Sequence, residues 1–365
     1  MRAALLEAPG RPLAVVDDID VDDPHVGEVR VRVTHCGVCH SDLSVVDGTF
    51  PAGLPIVLGH EAAGVVESIG PGVTSLAVGD HVVLTPAAPC GRCYWCVRDE
   101  HSLCVNAQAI MTNTFADGTT RLSRGGELVF RGLGVGAFGE LVVTQETGAI
   151  RIPPDVPLET ACVIGCAVQT GIGAVVNTAH VEAGATVLVV GLGGVGLAAV
   201  QGARLAGAAR VIVSDPVATR REAAIRFGAT DLVDPTEDDL LARVMSLTDV
   251  GVDYAFDTVG RGTVVETCLT ATRSGGTTVC VGAPPLEDVI TIAPAALFAA
   301  TGKRLVGCLL GSCDSLRDIP RFVDLWQAGR LDLEAMVTTR RPLAEINEAF
   351  ADLRVARGIR TVLEL

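Results

Sequence analysis

Residues 29–34, VRVRVT, alternate apolar and polar with the period of a strand. The run GVVESIGPGVTSLAVGDHVVL, which begins at Gly64, reads as strand, Pro-Gly turn and strand. Short strands of this kind, punctuated by glycine and proline, dominate the first 150 residues. Near Thr160 the pattern changes: ETACVIGCAVQTGIGAVVNTA, residues 159–179, is apolar with helical spacing and predicts a long helix. The apolar strand runs ATVLVV, RVIVSD, DYAFDTVG and TTVCVGAP then alternate with helical segments such as VGLAAVQGARLAG and TRREAAIRFG. Strand alternating with helix predicts a parallel, doubly wound sheet. From about residue 305, DIPRFVDLWQAG and PLAEINEAFADLRVARG read as amphipathic helices, and RTVLEL as a closing strand. The pattern therefore predicts an α/β chain: a β-rich domain over 1–168, an inserted doubly wound domain over 169–306, and a return to the first domain over 307–365.

Composition narrows the partners. A chain of 365 residues exceeds one ordinary core, and 49% hydrophobic against 19% charged residues excludes a disordered chain. The net charge of −15 comes without a basic patch, since Arg220–Arg221 and Arg340–Arg341 are isolated pairs. Nucleic acid and anionic membrane are therefore not expected partners. The N-terminus turns acidic before any long apolar stretch develops, unlike a signal peptide or a membrane span. The expected compartment is the cytoplasm, where thiols stay reduced and twelve cysteines suggest metal or buried packing more than disulfides.

Four of those cysteines, Cys90, Cys93, Cys96 and Cys104, stand in CGRCYWCVRDEHSLC with the spacing C-x2-C-x2-C-x7-C. Short gaps let successive sulfurs curl round one tetrahedral ion, and the longer gap returns the chain to complete the shell. Four thiolates leave no open position, so the predicted zinc is structural. A disulfide knot is the competing reading. The charged residues Arg92, Arg98, Asp99, Glu100 and His101 mark an exposed lobe over 90–104.

Two G-x-G-x-x-G matches compete for a nucleotide. Gly134, Gly136 and Gly139 precede ELVVTQ, which reads as a strand, so no helix N-terminus is available to a phosphate and a flexible loop is expected. Gly191, Gly193 and Gly196, with Gly194 and Val195 between them, follow the strand TVLVV and open a helix. There a pyrophosphate can approach. The next strand ends in Asp215, placed to bind ribose hydroxyls and repel a 2′-phosphate, which predicts NAD over NADP.

CGVCHSD, GHEAAG and VIGCAVQTG are the remaining conspicuous polar stretches. Cys39, His60 and Cys166 would make a three-ligand zinc set with one open position. Taken singly, Cys36, Cys39 and Cys166 also read as buried thiols and His60 as a core histidine.

These motifs, the four-cysteine lobe and GLGGVG occur in the order found in zinc-dependent medium-chain alcohol dehydrogenases, and the likeness runs to GIRTVLEL. The resemblance implies a GroES-like catalytic domain, an inserted Rossmann domain, and two zinc ions per chain, the catalytic one on Cys39, His60 and Cys166. It places Ser41 at the proton-relay hydroxyl, Asp42 at the acid behind the ligand imidazole, and Glu61 at a carboxylate near the metal. It sets Thr170 beside the nicotinamide, Arg220 beside the adenosine ribose, and Arg360 toward the cofactor phosphates. His40 stands where many relatives carry an arginine against the pyrophosphate, and Ser44 where several carry a relay histidine.

The implied reaction is reversible oxidation of a primary alcohol to an aldehyde. Phe50, Pro86 and Ala283 fall at positions lining the alcohol pocket. The small Pro86 and Ala283 hint at a bulky or aromatic substrate. The long stretch from Thr112 to Gly139 is similar to that of dimeric relatives, so a homodimer is expected over a tetramer. A glutathione-adduct (formaldehyde) dehydrogenase is the first alternative, although DGTFPAGLPI, residues 47–56, offers no basic residue for an anionic substrate. A non-catalytic NAD-binding protein is the second, and it would have no use for an open zinc site.

Overall fold

The alternation at residues 29–34 becomes the strand Glu28–Gly37, with Val29, Val31 and Val33 buried and Arg30 and Arg32 both turned to Glu67. The structure is a computed structural model describing residues 1–292 and 294–365. Two units emerge, one of Met1–Cys166 with Cys313–Leu365, the other Ala167–Ser312.

In the first unit, Glu28–Gly37 pairs antiparallel with Glu61–Ile69, Leu141–Gln145 and Arg360–Glu364 within a seven-stranded sheet. The last strand of the chain therefore returns to an early one, which is why the unit resumes at Cys313 after the insertion. A four-stranded sheet joins Phe130–Arg131, Ile56–Val57, Ala3–Leu6 and Ala14–Val16, and a three-stranded one joins Asp20–Val21, Leu122–Arg124 and Glu127–Leu128. Their apolar faces meet in one core that includes Leu5, Leu6, Ile56, Leu58, Phe138 and Phe350.

The second unit is a six-stranded, wholly parallel sheet. Its order is Asp231–Val233, Arg210–Ser214, Thr186–Val190, Val252–Asp257, Thr272–Cys280, Arg304–Gly307. The first strand in sequence lies third in that order, and the chain winds outward from it in both directions. This leaves a topological switch point beside Thr186–Val190.

Two expectations change. The long helix expected over 159–179 is instead a helix Leu158–Ala161, a 3-10 turn Cys162–Gly165, a helix Ala167–Gly173 and a π turn Ala174–Thr178. Cys166, at φ −137° and ψ −72°, interrupts the run. Gly165 packs so closely on the strand His81–Leu84 that an added Cβ would lie 2.4 Å from the Leu84 carbonyl oxygen. Apolar spacing does not reveal such a break. The segment around Gly134, expected as a flexible loop, is buried throughout 131–139. Gly134 and Gly136 take positive φ there, with an added Cβ 3.1 Å from the Pro86 oxygen and 3.2 Å from the Val57 oxygen. Close backbone approach, not mobility, accounts for those glycines.

Candidate active site

Cys39 ends the stretch that leaves Glu28–Gly37 and immediately precedes the short helix His40–Val46. His60 immediately precedes the strand Glu61–Ile69, and Cys166 sits at the helix break. Fold alone brings these three together: their ligand atoms lie within 4.8 Å of one another, all buried. His60 Nε2 is 3.3 Å from Cys166 Sγ.

Asp42 organises this cluster from behind. It is fully buried, with Oδ1 accepting from Gly59 N–H at 2.9 Å and lying 3.1 Å from His60 Nδ1. Its Oδ2 accepts from Cys39 N–H at 3.3 Å. A carboxylate on Nδ1 fixes the proton there and turns the Nε2 lone pair toward the sulfurs. Burial opposes charge on His60, but Asp42 and Cys39 together outweigh it and raise the imidazole well above its ordinary range. A hydrogen bond from Cys166 holds the Cys39 thiol well below its usual range, aided by His60 and Arg360 against burial.

Two thiols, one already ionisable, and an oriented imidazole are the donor set of a three-ligand zinc with an open position. Ser41 lies at the edge, its Oγ 3.9 Å from Cys39 Sγ. Glu61, fully buried, faces Arg360 with Nε to Oε2 at 3.4 Å, and Arg360 Nη1 donates to the Val38 carbonyl at 2.8 Å. Arg360 is thus a buried partner of Glu61. Its burial opposes charge, but Glu61, Cys39 and Cys166 raise it. His40 is exposed at the start of its helix, and Phe50 is half-buried against the core.

The four cysteines of the lobe also converge, with all sulfurs within 4.8 Å. Zinc–sulfur bonds of about 2.3 Å at tetrahedral angles space sulfurs by about 3.8 Å. Cys93 Sγ to Cys104 Sγ is 3.8 Å. All twelve cysteines are free of disulfides, so the knot is not formed. Backbone N–H groups point at the sulfurs: Cys90 N–H donates to Cys104 Sγ at 3.2 Å. The Cys93 thiol is drawn down to about 6, chiefly by the Cys96 N–H. Residues 92 and 98–100 are exposed, as expected of a lobe.

In the second unit, Gly191 has φ +91° and Gly193 caps the helix Gly194–Ala206. An added Cβ on Gly196 would lie 1.9 Å from the Gly191 oxygen, whereas one on Gly193 would meet nothing within 4 Å. The third glycine is therefore required for packing, and the second borders open space at a helix N-terminus, as a pyrophosphate cradle requires. Asp215 follows the strand Arg210–Ser214. It ties the cradle down, accepting Leu192 N–H at 2.7 Å and Val217 N–H at 2.8 Å.

Sequence reasoning missed two supports here. Thr258 Oγ1 is 2.8 Å from the Gly191 oxygen, and Arg221 Nη1 donates to the Asp215 carbonyl at 2.6 Å. Thr258 was findable, because it follows the C-terminal end of the neighbouring strand, Val252–Asp257, where ligands of such sheets bind. Arg220 and Thr170 are buried in this unit, and Ala283 is exposed after Thr272–Cys280.

Residues 25–154 match the family model of the alcohol dehydrogenase GroES-like domain, and residues 194–328 that of the zinc-binding dehydrogenase. The chain is 40% identical over 367 aligned positions, 99% of both chains, to S-(hydroxymethyl)glutathione dehydrogenase of Escherichia coli O1:K1 / APEC. Among solved structures, it is similar to an alcohol dehydrogenase zinc-binding domain protein from Burkholderia ambifaria. That likeness has a TM-score of 0.94 and 36% identity, covering 100% of this chain and 98% of that one. Benzyl alcohol dehydrogenase from Acinetobacter calcoaceticus matches with a TM-score of 0.94 and 31% identity, covering 100% and 99%.

Proposed function

The chain belongs to the zinc-dependent alcohol dehydrogenases of the medium-chain superfamily, and from that premise we propose that its substrate is a bulky or aromatic primary alcohol. The chemistry is hydride transfer between an alcohol and NAD. Cys39, His60 and Cys166 would hold a zinc ion that would supply the positive charge needed to acidify the alcohol, and the Gly191–Gly196 turn would hold the NAD that would take the hydride. The observation that carries the reading is the buried Cys39–His60–Cys166 set, braced by Asp42 and short of one ligand.

Each residue then has a role. Asp42 holds His60 Nδ1–H and so aims Nε2. Ser41 Oγ takes the alcohol proton and passes it outward; with Ser44 in place of a relay histidine, the proton leaves through water or ribose hydroxyls. Glu61 and Arg360 form a buried pair beside the ligands, and Arg360 is the residue that would reach the cofactor phosphates. Asp215 selects the unphosphorylated ribose, with Arg220 beside it, and the Gly191–Gly196 turn takes the pyrophosphate. His40 adds a titratable contact to the phosphates, and Thr170 bounds the nicotinamide. Phe50, Pro86 and Ala283 line the alcohol pocket. Cys90, Cys93, Cys96 and Cys104 would hold a structural zinc.

The likeness to benzyl alcohol dehydrogenase supports the aromatic substrate. The likeness to S-(hydroxymethyl)glutathione dehydrogenase favours the glutathione adduct as a second reading. Residues 47–56 carry no cation to receive it. An NAD-coupled screen over aliphatic, allylic and benzylic alcohols and S-(hydroxymethyl)glutathione decides between them. A benzylic alcohol is expected to give the highest kcat/KM, and a preference for the adduct overturns the proposal.

The proposed assembly is a cytoplasmic homodimer. Arg304–Gly307 is a sheet edge, and Leu286, Val289 and Leu297 before it are exposed. Apolar side chains beside an open strand edge are what a second copy would cover. Light scattering should give twice the chain mass, and Leu297→Glu should reduce it.

A further inference from the structure

One peptide of the nucleotide turn is gripped on both of its edges. Gly191 leaves the strand Thr186–Val190 at φ +91°, and its carbonyl and the Leu192 N–H point to opposite edges of the trans peptide they share. Asp215 Oδ2 accepts the Leu192 N–H at 2.7 Å. On the other edge, Thr258 Oγ1 lies 2.8 Å from the Gly191 oxygen and 3.0 Å from the Val190 oxygen. The Val190 oxygen already receives the Thr258 N–H at 3.0 Å, which leaves the single hydroxyl proton to Gly191.

Thr258 is itself fixed. Its N–H on Val190 continues the pairing of Thr186–Val190 with Val252–Asp257. Beside it the Asp257 carboxylate, 1% exposed, accepts the N–H of Val259 at 2.9 Å and of Gly260 at 3.2 Å. The Asp257 carbonyl accepts the N–H of Val281 and of Gly282, both at 2.9 Å. The turn that carries the hydroxyl is thus tied to the ends of both neighbouring strands.

The hydroxyl also stands where the glycines pack most closely. An added Cβ on Gly191 or on Gly196 would lie 2.9 Å from Thr258 Oγ1, so the first and third glycines both press on this one oxygen. Gly193, between them, borders open space at the N-terminus of Gly194–Ala206. The plane of the 191–192 peptide therefore sets the direction in which the chain enters the helix.

We propose that Thr258 is a positioning residue for the cofactor pyrophosphate: its hydroxyl and the Asp215 carboxylate clamp the Gly191–Leu192 peptide and so preform the N–H groups at the helix start. A preformed turn needs no ordering when the ligand arrives, whereas a loose one is ordered at the expense of affinity. The proposal rests on the reading of the Gly191–Gly196 turn as the pyrophosphate site.

Calorimetric titration of the zinc-loaded protein with NADH and with ADP-ribose tests it. ADP-ribose carries the pyrophosphate and the adenosine but no nicotinamide. Thr258→Val keeps the branched shape and leaves the Gly191 carbonyl without its donor. It should weaken both ligands equally, by about tenfold, because the defect lies in the part they share. Thr258→Ser restores the hydroxyl and should bind both ligands within about twofold of wild type. In steady state Thr258→Val should raise KM for NAD while kcat does not fall. Thr258→Ala, which sets no methyl against the carbonyl, carries the test should Thr258→Val not fold. Unchanged ADP-ribose affinity in the folded variant overturns the proposal and leaves the assignment of the turn standing. Thr258→Ser as weak as Thr258→Val, loss of NADH affinity alone, or a kcat that falls with the affinity also overturns it. No saturable binding of ADP-ribose to wild type up to about 10 mM overturns the assignment of the turn, and the proposal with it.

Discussion

Asp42→Asn isolates the part of the site that the chain itself builds around the metal ligands. Asparagine matches the carboxylate in size but offers one acceptor oxygen and one donor nitrogen. The native oxygens receive three donors: Gly59 N–H at 2.9 Å and His60 Nδ1 at 3.1 Å on one, Cys39 N–H at 3.3 Å on the other. With the amide oxygen toward Gly59 and His60, its NH2 faces the Cys39 N–H, and a buried donor loses its acceptor. The opposite orientation confronts two donors instead, so the first is preferred. The loss costs about 1–3 kcal/mol, taken where Cys39 enters the ligand set. His60 Nδ1–H also loses a charged acceptor, which lowers the basicity of Nε2. Removing such a support weakens metal binding by about 10–100-fold, or about 1.4–2.7 kcal/mol. The assay is titration with a zinc chelator while release is followed with a colorimetric dye. One of two ions should leave the variant at chelator concentrations lower by that factor, and the second should leave as in wild type. Release of both ions at wild-type concentrations would refute the assignment of Asp42.

Elemental analysis of Cys166→Ala should show one zinc per chain in a folded protein, whereas Cys104→Ala should aggregate, because its lobe has no other means of closing; two ions retained in Cys166→Ala would remove that residue from the ligand set. Ser41→Ala should lower kcat by about 10²–10⁴ in single-turnover measurements with zinc content and NAD affinity unchanged; near-normal turnover would assign proton transfer to water. Asp215→Asn should narrow the preference for NAD over NADP, since the carboxylate charge facing a 2′-phosphate is gone while one acceptor for Leu192 or Val217 N–H remains. Equal wild-type use of both cofactors would contradict this role.

The sequence by itself determined the features whose parts lie within one local stretch. Cys90 to Cys104 are close enough in the chain for their sulfurs to converge, as their spacing predicts. Gly191, Gly193 and Gly196 occupy one turn between a strand and a helix, so that turn was legible from pattern alone. The alternation that sets Val29, Val31 and Val33 inward, and the alternation of strand and helix after Thr160, likewise follow from backbone periodicity.

Tertiary structure decided what depends on distant neighbours. His60 and Cys166 are 106 residues apart and meet only because a helix breaks where Gly165 presses on the strand His81–Leu84. No local propensity encodes that contact, and the apolar run around Cys166 reads as continuous helix without it. Arg360 is a terminal-strand arginine in the sequence and a buried partner of Glu61 in the fold, through a pairing of the first and last parts of the chain. Arg121 is held to Glu28, 93 positions away, by two buried hydrogen bonds, and such a pairing of distant charges is settled only once the chain has packed.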